Sequence, residues 1–184
     1  GEWGNWQYPG ATRGLFADYG TPQTISYRQW LRERYGGFPA LRIAWNQPGS
    51  PDLTEPDGIA DGRPILAWTQ IDPPTPKERM TANIGMVRDP AGEQHLVDYD
   101  AFASDAMADA ISAMAAVVAS AAPEKLCGAA YGHILDQARY PYALQNGGHL
   151  AMPTLADCDD IDFVTVPAVG LPGQSGHLAT FGVC

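Results

Sequence analysis

The chain has 184 residues with a formal net charge of −10, 45% hydrophobic and 17% charged. That length suits a single domain spanning 1–184, and the apolar content suits a packed core rather than a disordered segment. The acidity argues against nucleic acid and an anionic membrane surface, since phosphate binding needs clustered Lys and Arg.

Gly1 to Tyr19 is rich in glycine and aromatic residues, with Trp3, Trp6 and Tyr8. It reads as a loop, unusually apolar for a terminus. Thr21-Pro22 opens a helix, with Thr21 as the cap and Gly36-Gly37 as the stop. Tyr27, Trp30, Leu31 and Tyr35 form its inward stripe, and Arg28, Arg32, Glu33 and Arg34 are mostly solvated. A short helix follows from Phe38 to Trp45, docking Leu41 and Trp45. Asn46 to Pro74 is a long excursion of repeated Pro, Gly and Asp in which only Ile65 to Trp68 is strand-like, and such a segment reads as a lid or binding loop. Thr75-Pro76-Lys77-Glu78 is a capping box.

Asp98 to Ala121 is the strongest helical pattern. Tyr99, Phe102, Ala103, Ala106, Met107, Ala110, Ile111, Met114, Val117 and Val118 recur at spacings of three and four, and are expected to pack against a sheet. No apolar run is read as long enough to span a membrane.

Lys125 to Ala168 reads as one βαβ unit. Leu126 to Tyr131 is a nearly uncharged run expected of a strand buried on both faces, and Ile161 to Val166 is a second, closed by Pro167. Between them a helix is expected around His149 to Ala156, the crossover that two parallel strands require. Leu171 to Cys184 has four nearby glycines and no clear period. Two parallel strands leave sheet edges exposed, so the chain is expected to belong to something larger or to be completed by a second copy.

Chemistry concentrates in the loop after the first strand. Tyr131, His133, Asp136, Tyr140, Tyr142, Gln145, Asn146 and His149 combine rings, amides and imidazoles beside glycines. Ligands in α/β proteins sit at the carboxyl ends of strands, where this loop departs. Aromatic faces and amides suit a sugar cleft, although rings covering a sheet end would look the same. Gly173-Gln174-Ser175-Gly176-His177 misses the G-x-S-x-G spacing of a serine nucleophile. His133, Asp136, His149 and Cys158 match no metal-ligand pattern, and no phosphate-cradling glycine loop or other cofactor motif is present. Cys127, Cys158 and Cys184 form no C-x-x-C, a Cys158–Cys184 bridge is one possibility, and the cellular compartment stays open.

Tyr27-Arg28-x-Trp30-Leu31-x-x-Arg34-Tyr35-Gly36, with Leu41 and Ala44-Trp45, resembles the helix after the acid/base strand of family-42 glycoside hydrolases. Tyr131-Gly132, Gln145-Asn146-x-Gly148-His149-Leu150-Ala151 and Asp160-Ile161-Asp162-Phe163 resemble close relatives of that family, from about Glu2 to Gly176 in all. The resemblance implies an α/β fold, a partial or shortened (β/α)8 TIM barrel with long inserted loops, and retaining hydrolysis of β-galactoside-type bonds. Glu2 then falls at the acid/base position, with Gly1 where the family has Asn. No Glu follows Glu124, so Asp136 is the in-chain candidate for the second carboxylate. Trp3, Trp6, Tyr131, His133, Gln145, Asn146 and His149 are the implied sugar-binding residues, with Trp68 as a further stacking wall. The alternative is a non-catalytic carbohydrate-binding or assembly protein that lacks the nucleophile.

Overall fold

The computed structural model describes residues 19–45, 67–79, 88–132, 148–167 and 178–182. The first helix, α1 (Thr21–Tyr35), is capped by Gly20, not Thr21, with no side-chain cap and Pro22 in its first turn. Thr21 is already helical, so its hydroxyl does not sit where a cap must. Gly36 ends the helix in the left-handed region at φ 69°, and its N–H donates to the Arg32 carbonyl at 2.8 Å. A residue without Cβ takes that conformation without steric cost. Helix α2 (Phe38–Ala44) follows at once. Trp68–Gln70 is a single 3-10 turn, beginning at the last residue of the strand-like run Ile65 to Trp68, of which Ile65 and Leu66 lie outside the described residues. At α3 (Pro76–Arg79) the capping box forms: Thr75 N–H donates to Glu78 Oε2 at 2.7 Å, and Glu78 N–H to Thr75 Oγ1 at 3.3 Å.

Helix α4 (Pro90–Ala121) starts eight residues before the expected Asp98, because Asp89 caps it by accepting from Ala91 N–H and Pro90 occupies the first turn. It kinks at Glu93, whose φ of −127° and ψ of 23° are not helical. Its 32 residues serve two cores. Tyr99 and Phe102 join Tyr27, Leu31, Phe38, Leu41 and Ile71 in the first, where Tyr27 meets the Tyr99 ring edge-on at 5.1 Å. Ala108 and Ala115 join Tyr131, Leu155, Ile161 and Val164 in the second. Each large apolar side chain buried there contributes roughly 1.5–3 kcal/mol. Ala103 is buried, Ala106 packs against the first core and Met107 and Ile111 against the second, whereas Met114, Val117 and Val118 at the end of the expected stripe are 62%, 69% and 45% exposed.

Asp98 fastens the first core. Fully buried, it accepts from Tyr35 Oη and Trp45 Nε1, both at 2.6 Å, and from Gln94 Nε2 at 2.9 Å, with Arg34 Nε 3.3 Å away. One carboxylate thereby ties α1, the end of α2 and α4 together.

Strand β1 (Gly128–Ala130) pairs in parallel with β2 (Phe163–Pro167), Gly128 opposite Phe163 and Ala130 opposite Thr165. The short helix α5 (Met152–Ala156) lies in the crossover and packs on α4. This is the expected βαβ unit with shorter elements. Asp162 Oδ2 accepts from Cys127 N–H at 2.7 Å and pins the start of both strands, a structural role. The glycine-rich tail holds β3 (Leu178–Gly182), antiparallel to β2 and invisible to the periodicity reading.

The (β/α)8 barrel is overturned. The described residues are mostly helical, with three short strands in the order β1-β2-β3 and one parallel pair. The antiparallel β3 occupies the edge of β2 where a barrel would place its next parallel strand. Nor is β1 covered on both faces: Gly128 and Ala130 are exposed and Leu126 is 77% exposed. By length and composition α4 is the one helix among the described residues long and apolar enough to cross a membrane, contrary to the sequence reading, but its first half carries buried Asp98 and Asp100 and packs in the first core, and Ala108 and Ala115 of its second half pack in the second.

Candidate functional site

The carboxyl end of β1 is where the sequence placed its chemistry. Tyr131 N–H continues the ladder to the Thr165 carbonyl at 3.1 Å, and Gly132 then turns the chain away at φ 80°. Gly148 is also left-handed at φ 68°, so a glycine stands on each side of segment 133–147.

The two sides are joined through side chains. Gly132 N–H donates to His149 Nδ1 at 3.3 Å, which makes Nδ1 the acceptor and leaves Nε2 to carry the proton of a neutral imidazole. Ala151 N–H donates to Tyr131 Oη at 2.9 Å. Leu150 N–H donates to Ser104 Oγ at 3.3 Å, and that hydroxyl donates to the Asp100 carbonyl at 2.8 Å, anchoring the returning chain to α4. The Tyr131 and His149 rings lie 4.9 Å apart at 54°.

Both rings are buried, Tyr131 completely and His149 to 3% exposure. Burial pushes the Tyr131 phenol up to about 12, opposed by the Ala151 hydrogen bond and helped by the charge of Asp105. It is therefore a neutral hydroxyl near pH 7, accepting from backbone and still able to donate. The pair is packed inward instead of presenting open ring faces. Beside it, Met107, Ile111 and Ala115 of α4 and Gly128 and Ala129 of β1 line an apolar cavity of about 370 Å³, with His149 its one imidazole.

Of the sequence-derived site residues, the fold brings Tyr131 and His149 together. Trp68 lies elsewhere: it packs edge-on to Phe38 at 5.4 Å with the Arg32 guanidinium over its ring, on the first core. Glu2, Trp3, Trp6, His133, Asp136, Gln145 and Asn146 lie outside the described residues. No cluster of His, Cys, Asp or Glu able to hold a metal occurs among the described residues, and Cys127 and Cys158 are free thiols. Ser104 was missed in the sequence, though a hydroxyl next to Phe102 and Ala103 in the inward stripe of α4 was a signal that something polar meets that face. Arg88 was missed as well, since it lies in a stretch without periodicity.

No protein-family model, no curated protein and no solved structure matches this chain.

Proposed function

We propose that this chain belongs to a carbohydrate-processing protein that cleaves β-galactoside-type bonds with retention, using Glu2 as acid/base. The observation that supports this reading is the buried Tyr131–His149 pair at the carboxyl end of a parallel strand, joining the chain on either side of segment 133–147, whose sequence is rich in rings and amides. Strand carboxyl ends are where α/β proteins collect ligands. In this reading Tyr131 and His149 are positioning residues, and the sugar contacts come from His133, Gln145 and Asn146 in the loop, with Trp3 and Trp6 stacking on the ring.

Retaining hydrolysis needs two carboxyl groups roughly 5–5.5 Å apart. Glu2 protonates the glycosidic oxygen as the C–O bond breaks, and the second carboxylate attacks the anomeric carbon to form a glycosyl ester. Glu2, now a base, then takes a proton from the water that cleaves the ester. Asp136 is the in-chain candidate for the attacking group.

The test is a panel of chromogenic aryl glycosides, galactosides first, incubated with the chain and with Glu2→Gln and Asp136→Asn. Turnover that either substitution reduces by about 10³-fold or more supports the assignment of that residue. Galactose binding without turnover, by equilibrium dialysis, points to the carbohydrate-binding alternative. The absence of both turnover and binding removes the carbohydrate reading altogether.

A further inference from the structure

The kinked start of α4 holds a second buried polar centre, against the first core. Arg88, just before the helix, is 6% exposed. Its Nε donates to Asp100 Oδ2 at 3.0 Å, and its Nη2 to the carbonyl of Arg79, the last residue of α3, at 2.8 Å. Its Nη1 lies 3.8 Å from Glu93 Oε1, beyond hydrogen-bond range. Glu93 sits at the kink, 7% exposed, and its Oε2 is buried with no hydrogen-bond partner. One guanidinium thus stands between two buried carboxylates, bonded to one and near the other.

We infer that Arg88 is a proton-operated latch: it fastens the end of α3 to α4 through Asp100 while that carboxylate is charged, and moves onto Glu93 when Asp100 is protonated. The geometry supplies both stations, because Glu93 Oε2 offers the unused acceptor that a displaced guanidinium needs. An unsatisfied buried acceptor is destabilising, which favours the move once Asp100 loses its charge.

The groups facing Asp100 set the working range. Burial raises its pKa to about 7; Arg88 and then Arg79 from α3 lower it, and Glu93 on its own helix raises it. From α1, the Tyr27 hydroxyl side also faces the Asp100 charge. His95, two residues after Glu93 and 3.8 Å from Glu78 of α3, is lowered first by burial and is the other group that titrates nearby. An unfolded Asp titrates near 3.9. Between there and about 7 the folded chain holds the extra proton, so Asp100 contributes stability that is lost as pH rises toward 7. His95 has the opposite sign, since its folded pKa is lowered: its contribution is lost as pH falls.

The experiment follows the Arg88 Nε–H resonance of the full chain by nuclear magnetic resonance from pH 5 to 8.5. A titration with a midpoint near 7 is expected, lost in Asp100→Asn, displaced to lower pH in Glu93→Gln and unmoved in His95→Gln. Exchange of the Arg79 amide, corrected for its intrinsic pH dependence, should quicken on the acid side of the same midpoint. Should Asp100→Asn fail to fold, the Glu93→Gln displacement carries the test. A flat Arg88 signal, a midpoint indifferent to Glu93→Gln, or an Arg79 amide that ignores the transition each overturns the latch.

Discussion

Asp98 is a single carboxylate on which three segments converge. Its four partners reach it from α1, from Trp45 at the end of α2 and from the preceding turn of α4. The same contacts hold the Tyr35 phenol at a pKa of about 12, through burial first and the Asp98 hydrogen bond second. Removing the carboxylate strands a phenol hydroxyl and an indole N–H together. Asp98→Ala should therefore destabilise the chain by about 3 kcal/mol in urea unfolding, and Asp98→Asn by less, because its carbonyl oxygen can keep both donors. An Asp98→Ala loss under about 0.5 kcal/mol would show that the three segments are held by their apolar contacts alone. In the sequence this residue looked like the first position of a helix. Its partners lie 53 and 63 residues away at Trp45 and Tyr35, a separation that no local pattern encodes.

At the scale of elements, the β1–β2 pair depends on one small residue. A Cβ on Gly128 would run into the ring of Phe163, its partner across the ladder. Gly128→Ala should cost about 1–3 kcal/mol by forcing that ring aside, and Phe163→Leu in the same chain should recover part of the loss. Purely additive effects in the four-variant cycle would mean that the two residues do not share the space. The parallel pairing itself was legible, because two β-branched or small apolar runs flanking a crossover leave little choice. The long helix was legible from its period, but its true start was not: the periodic pattern begins at Asp98, and the first turns come from Asp89 capping Pro90 onward. Strand β3 carried no signal, since its pairing is supplied by β2 and not by its own glycine-flanked sequence.

For the whole molecule, the last three turns of α4 are the unusual surface. No charged residue occurs from Ala110 to Pro123, and Met114, Val117 and Val118 stand well exposed, with Leu126 beyond them at 77%. An apolar run of this kind should bind a hydrophobic dye such as anilinonaphthalene sulfonate. Val117→Lys with Met114→Gln should cut that fluorescence severalfold and leave the melting temperature within about 2 °C, because neither side chain is part of a core. Unchanged dye fluorescence would place the apolar surface elsewhere.

The sequence by itself determined the helices around Tyr27 and Tyr99, the capping box at Thr75, the parallel βαβ unit and the position of Tyr131 and His149 on either side of segment 133–147. Those features rest on period, capping chemistry and short spacings, which act within a few residues. Only the tertiary structure decided that the sheet turns antiparallel at β3 and is no barrel, that Tyr131 and His149 face inward as a pair, and that Asp98, Asp100, Glu93 and Arg88 are buried. The reason is physical: the burial of a charge is set by partners that arrive from distant segments, and no residue carries in its own neighbourhood the information of who those partners will be.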